Sequence, residues 1–156
     1  MKIVPARGYF EIGIYQGKTV MNLGTLWRSA YQLGAAGIFT IGQRMPPQAS
    51  DTLKAYRHIP LRRFATFDEF MAGRPHDCPL VGVEMEGKPL SGYAHPQRAQ
   101  YLLGAEDIGL PRRVREQCQA IITIESLRTE SYNVAVAGSL VMWHRAAYRT
   151  EAWGSP

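Results

Sequence analysis

Short, continuous apolar runs alternate along the chain with stretches in which apolar residues recur at helical spacing. Ile38-Phe39-Thr40-Ile41, Leu80-Val81-Gly82-Val83-Glu84, Tyr101 to Gly104 and Ala120 to Ile124 are too short for helices and lack polar alternation, so they read as strands covered on both faces. Phe10, Ile12 and Ile14 alternate with Glu11 and Gly13, a weaker first strand. Leu23, Leu26, Trp27, Ala30 and Leu33 predict a helix, with Asn22 as candidate N-cap and Gly34 as candidate C-cap. A short helix is expected from Ser50 or Asp51 to Tyr56, then extended chain over His58-Ile59-Pro60-Leu61. Thr66 or Asp68 opens a brief helix carrying Phe67, Phe70 and Met71. A loop is expected from Met85 to Ser91, and one helical turn at Arg98 to Gln100. Asp107 to Gly109 forms a tight loop, and Pro111 suits the first turn of a helix reaching about Cys118. A long helix follows from Asn133 to about Arg149, with Val134, Ala137, Gly138, Val141 and Met142 along its apolar stripe.

Five or six strands alternating with helices make an α/β fold with a mostly parallel sheet and helices on both faces. The length of 156 residues favours one domain, 1–156. In such a sheet small ligands bind beyond the carboxyl ends of the strands. Two strands in the last third lead into polar segments, one with the tight loop Asp107 to Gly109 and one running Glu125 to Tyr132, and the chemistry is expected there.

Composition narrows the partners. Hydrophobic residues make up 46% and charged residues 20%, an ordinary soluble balance. No run approaches the roughly 18 apolar residues that span a bilayer, and the start lacks a signal-peptide core, so no membrane partner is expected; the sparse cysteine usage points to a reducing, cytoplasmic location. Cys78 and Cys118 show no metal-ligand or disulfide spacing and read as free thiols. The histidines (His58, His76, His95, His144) show no metal spacing either, so no metal is expected. Net charge is +5, and arginine far outnumbers lysine, which suits phosphate contacts; a solvated basic surface is the alternative.

No glycine-rich dinucleotide fingerprint, phosphate-cradling lysine loop or nucleophile elbow occurs. What stands out is a set of polar residues at element ends: Asn22, Arg28, Glu106, Ser131 and Asn133. Each has a bland reading. Asn22 and Asn133 can be N-caps, Glu106 a capping acid for the next helix, and Arg28 the partner of a surface acid. Asn22 and Arg28, near the opening of one helix, could face the same cleft.

Three blocks give these residues a pattern. Asn22-Leu23-Gly24-Thr25-Leu26-Trp27-Arg28 matches N-x-G-x-x-x-R. Leu103-Gly104-Ala105-Glu106-Asp107-Ile108-Gly109-Leu110-Pro111 matches G-x-E-x-x-G-L. Ser131-Tyr132-Asn133-Val134-Ala135-Val136-Ala137 matches S-x-N-V-x-x-A. In order and separation the chain resembles the SpoU family of the SPOUT class, RNA 2′-O-ribose methyltransferases. The resemblance implies a SPOUT-type fold with a deep C-terminal trefoil knot over about residues 80–149, and S-adenosylmethionine held in the knotted loops. It also implies a homodimer with residues of both subunits near each site. Size resembles the compact enzymes that methylate the wobble ribose of tRNA; ribosomal RNA, or RNA binding without catalysis on the same scaffold, are the alternatives.

By the same resemblance Arg28 stands nearest the proton-transfer role, either as a base beside substrate phosphate or by binding that phosphate and polarising the hydroxyl. Asn22 orients Arg28 or the ribose, Glu106 holds the catalytic loop or a substrate group, Asn133 fixes the last loop, and Ser131 shares the site. Val83, Glu84, Gly104, Ile122, Ile124, Ser131, Tyr132 and Val134 are expected to line the cofactor. Val141, Met142 and Trp143 are expected to meet their counterparts across the dimer two-fold. Arg7, Arg44, Arg57 and Arg112 or Arg113 are candidate phosphate contacts. Family members commonly carry Ile-Pro at the end of the last strand; here it is Ile124-Glu125.

Overall fold

The computed structural model describes residues 8–44, 58–128 and 131–148. Six parallel strands form one sheet in the order β3-β2-β1-β5-β4-β6: β1 Tyr9–Tyr15, β2 Gly37–Ile41, β3 Leu61–Phe64, β4 Leu80–Pro89, β5 Arg98–Gly104 and β6 Ala120–Thr123. The helices are α1 Val20–Gln32, α2 Phe67–Ala72, α3 Arg112–Glu116 and α4 Val134–Ala147.

Successive strand residues feed opposite layers, as the pleat requires. Ile12, Ile14, Ile38, Val81, Tyr101 and Leu103 pack with Leu23, Leu26, Trp27 and Ala30 of α1 and with Ala135, Val141 and Met142 of α4. Phe39, Ile41, Leu80 and Leu102 pack with Phe67 and Phe70 of α2 and Val114 of α3. Each fully buried Leu, Ile or Phe contributes roughly 1.5–3 kcal/mol over an exposed one. Both faces are therefore covered, which explains why the strand sequences run apolar without alternation.

Several boundaries differ from the sequence expectation. Thr19, not Asn22, caps α1: its side chain accepts from the Asn22 backbone N–H at 3.3 Å. Arg98 to Gln100 is strand, because Tyr9 to Glu11 of β1 pair with it, so the expected helical turn is absent. Residues 85–89, expected as loop, belong to β4: after a bulge between Val83 and Lys88, Lys88 and Pro89 pair again with β6. The extended chain expected up to Leu61 continues as the edge strand β3, Leu61–Phe64. Pro111 is the N-cap of α3 rather than a residue of its first turn, and α3 ends at Glu116. The helix expected at 51–56 lies outside the described residues. Among the described residues no helix is long and apolar enough to cross a membrane.

At the end of the sheet away from the last loops, a buried polar chain ties α4 to the start of β5. Arg145 donates to the Pro96 and Gln97 carbonyls at 2.6 and 2.7 Å and to the Tyr101 hydroxyl at 3.1 Å. Tyr101 Oη lies 2.7 Å from His95 Nδ1, and His95 Nε2 lies 2.8 Å from His144 Nδ1. Burial, with the neighbouring His144 and Arg145 charges, pushes the His95 imidazole down to about 3.

Candidate active site

The middle of β4, the carboxyl end of β5 with its following loop, the segment after β6 and the start of α4 enclose a cleft of about 250 Å³. Leu103, Ala105, Ile124, Val134 and Ala137 give it apolar walls, and Glu84, Glu106 and Asp107 bring carboxylates to it. The loop after β5 closes tightly: the Ile108 and Gly109 N–H groups both donate to the Ala105 carbonyl. Gly109 sits at φ +67 in the left-handed region, and a Cβ there would come within 2.6 Å of Glu84 Oε1. Gly104 has no room for a side chain either, since its Cβ would lie 2.7 Å from the Leu110 nitrogen. The Glu84 carboxylate accepts from the Leu110 N–H and joins this loop to β4.

Asn133 draws three elements together at the mouth of the cleft. Its Oδ1 accepts from the Ala135 and Val136 N–H groups at 3.0 and 3.2 Å, capping α4. Its Nδ2 donates to Asn22 Oδ1 at 2.9 Å and to Glu106 Oε1 at 2.8 Å. Glu106 Oε1 also accepts from the Val134 N–H at 3.3 Å. Glu106 thus reaches the positive end of α4, not that of α3, the next helix in sequence. One amide gathers the first turn of α1, the loop after β5 and the start of α4.

Of the eight expected cofactor-lining residues, Val83, Glu84, Gly104, Ile124, Ser131, Tyr132 and Val134 line this one cleft. Ile122 does not; it is fully buried in the core beneath it. Asn22, Glu106 and Asn133 form the hydrogen-bonded cluster, and Ser131 lines the adjoining wall. Arg28 is not brought to them. It is exposed and makes no hydrogen bond or ion pair among the described residues. Six residues beyond Asn22, it lies about 9 Å along the helix and about 120° around it, so the two do not share a face. Val141 and Met142 are fully buried within the chain and cannot meet a second subunit; of the three residues expected there, Trp143 is exposed, at 48%.

Two connections had no signal in the sequence. Asp107 is gripped by Lys18 and Arg44, whose hydrogen bonds hold its carboxyl well below the usual range. Glu125 accepts from both the N–H and the hydroxyl of Ser91, its carboxyl is lowered by the Ser91 hydroxyl first, and its carbonyl accepts from Tyr132 Oη at 2.9 Å. Asp107 with Lys18 and Arg44, and Glu125 with Ser91, are far apart in sequence and adjacent through the strand order. Among the described residues no group of three His, Cys, Asp or Glu converges as a metal site.

The profile of the SpoU rRNA Methylase family matches residues 10–143, which span the cleft and the whole cluster. The chain belongs to this family. An uncharacterized tRNA/rRNA methyltransferase of Archaeoglobus fulgidus is 25% identical over 128 residues, 78% of this chain and 57% of that protein. The AdoMet-bound rRNA methyltransferase of Sinorhizobium meliloti superposes with a TM-score of 0.77 at 25% identity, over 91% of this chain and 57% of that one. The chain thus spans little more than half of each of these two relatives. A structure concerned with the 2-OH methylation of C/U34 on tRNA superposes with a TM-score of 0.78 at 22% identity, over 90% of this chain and 89% of that one. These likenesses and the sheet order agree on the α/β SPOUT fold.

Proposed function

We propose that the chain transfers a methyl group from S-adenosylmethionine to a ribose 2′-hydroxyl of RNA, with the wobble nucleotide of tRNA as the favoured substrate. The observation that carries the reading is the Asn22–Asn133–Glu106 cluster, held at the mouth of the cleft. The donor set of the cleft fits the cofactor. Leu103, Ile124 and Val134 offer apolar walls to a purine, and the Glu84 and Glu106 carboxylates suit a cationic amine and sulfonium. Bound S-adenosylmethionine supplies an electrophilic methyl whose leaving group is a neutral thioether. The residues of this chain must orient the hydroxyl and accept its proton, and such orientation supplies roughly 7–11 kcal/mol in favourable cases. Glu106 Oε1 is occupied by Asn133 and Val134, which fixes the carboxylate, while Asn22 and Asn133 set the edge against which a ribose would rest.

Arg28 is the remaining part of the machinery, and we assign it to the neighbouring subunit's cleft in a homodimer. Support comes from the surface it occupies. Met21, Val136 and Trp143 are exposed apolar residues on α1 and α4, the two helices joined by the Ser29–Ser139 hydrogen bond. Arg28 then binds the substrate phosphate or polarises the hydroxyl, since a guanidinium holds its proton too firmly to be a good base alone. We further propose that the segments after β4 and β6, clasped by Glu125 and Ser91, belong to the trefoil knot.

The tRNA reading is supported by extent: the chain covers 89% of the protein concerned with C/U34 on tRNA. The ribosomal reading is favoured by the family's description and by the Sinorhizobium meliloti relative. The test is transfer of labelled methyl from S-adenosylmethionine to separated tRNA and ribosomal RNA. Label in tRNA supports the proposal, label in ribosomal RNA changes the substrate, and no label in either rejects the activity. Mixing Arg28→Ala with Asn133→Ser subunits tests the shared site. If the pairing is random, restored activity near a quarter of wild type supports it, and none refutes it.

A further inference from the structure

Beside the Glu106 cluster stands a second polar group that the methyl-transfer chemistry does not use. Lys18, in the connection from β1 to α1, places Nζ 2.8 Å from Asp107 Oδ2. Arg44, just beyond β2, meets the same carboxylate with two nitrogens, at 2.9 and 3.2 Å. The Arg44 Nε also donates to the Gln16 carbonyl at 2.9 Å, and its backbone N–H donates to the Gly17 carbonyl at 3.1 Å. Three connections at the carboxyl edge of the sheet therefore converge next to the residue that holds Asn133.

Within this group of three the charges do not cancel. Two cations surround one carboxylate, and no acidic side chain lies in the first turn of α1, whose positive end begins beside Lys18. Lys18, Arg44 and Asp107 are 54%, 33% and 36% exposed, so the cations are reachable. The bonds to Asp107 take one hydrogen from each nitrogen they use, which leaves both cations with N–H donors for a second anion. A carboxylate that fixes a lysine and an arginine removes rotamer freedom that each would otherwise lose on binding. Location names the anion. A ribose whose 2′-hydroxyl reaches Glu106 carries its phosphodiester on the neighbouring carbon, and Asp107 is the residue next to Glu106.

We propose that Lys18 and Arg44, preorganised by Asp107, dock the RNA phosphate adjacent to the methylated ribose. The assignment rests on the RNA reading above and adds the residues that set the register of the strand at the cleft. Asp107 is a positioning residue; Lys18 and Arg44 are the contacts.

The test is a titration of unfractionated tRNA and of ribosomal RNA with wild type, Lys18→Ala, Lys18→Arg and Arg44→Ala across a series of potassium chloride concentrations. Thermal midpoint and affinity for S-adenosylhomocysteine are measured alongside. Lys18→Ala is expected to weaken RNA binding about three- to tenfold and to lower the log–log salt slope by about 0.7–0.9, the signature of one lost phosphate contact. Lys18→Arg is expected to restore both, with the thermal midpoint and S-adenosylhomocysteine affinity unchanged. Arg44→Ala is expected to lower the slope similarly. Salt-dependent binding by wild type with unchanged slopes in both alanine variants would overturn the proposal and leave the cations as loop staples. Absence of RNA binding by wild type at every salt concentration would overturn the RNA reading itself.

Discussion

Asn133 carries two separable duties, and three substitutions distinguish them. Its Oδ1 caps α4 through Ala135 and Val136, and its Nδ2 holds Asn22 and Glu106. Asn133→Ala removes both. Loss of the cap costs about 1 kcal/mol. The two donated bonds are exposed and add at most about 0.5 kcal/mol each, at the low end of net hydrogen-bond values. The total of about 1–2 kcal/mol corresponds to a fall of about 2–8 °C in midpoint for a domain of this size. Asn133→Ser keeps a capping oxygen, so its stability is expected within about 0.5 kcal/mol of wild type. It has no amide to reach Asn22 or Glu106, however, and methyl transfer is expected to fall about 10–100-fold, the scale of a small misplacement at a reacting centre. Asn133→Asp also keeps the cap but sets a carboxylate against Glu106, and activity is expected to fall at least as far. Urea unfolding and labelled methyl transfer on the three variants read the two duties independently. Full activity in Asn133→Ser would refute the assignment of Asn133 as the organiser of the site.

Three further outcomes follow from the packing and the titrating groups. Gly138→Ala is expected to destabilise the chain by about 1–3 kcal/mol in urea unfolding, because the new Cβ would run into Leu26 and lie 2.9 Å from Leu103 Cδ1 where α4 crosses α1 and the sheet. His95 is held neutral in the fold, with a value of about 3 against 6.5 unfolded, so the unfolded state binds the extra proton between these limits. Stability is therefore expected to be fully present above pH 6.5 and to fall by up to about 1.4 kcal/mol per unit as pH drops toward 3; a His95→Asn variant with the same urea-midpoint profile would contradict this. Glu125→Ala is expected to weaken S-adenosylhomocysteine binding by calorimetry several-fold, because the carboxylate ties Ser91 to the segment carrying Ile124 and Tyr132, whereas Glu125→Gln keeps an accepting oxygen and most of the affinity.

The strands were legible because they are buried on both faces and therefore continuously apolar, as at Ile38 to Ile41 and Leu80 to Val83. The start of α1 was harder to read. Val20 and Met21 follow the true cap, Thr19, and Asn22 inside the first turn mimics one. Asn22, Glu106 and Asn133 could be picked out as polar residues at element ends, but their meeting depends on the order β1-β5-β4-β6 and on α4 packing back against α1, which no local pattern encodes. The same holds for Lys18, Arg44 and Asp107. Arg28 was expected at the same cleft as Asn22, yet a separation of six is not a same-face spacing on a helix. Val141 and Met142 were assigned to a subunit interface because an apolar stripe alone does not say what covers it; α1 and the sheet bury both within the chain.

The most direct test of the central claim is the position of the methyl group on RNA treated with the protein and isotopically labelled S-adenosylmethionine. The RNA is digested to nucleosides and resolved by mass spectrometry. Label on the ribose as a 2′-O-methyl nucleoside, present with wild type and lost with Asn133→Ser, is the outcome this account requires. Label on a base, or ribose label undiminished in that variant, would contradict it.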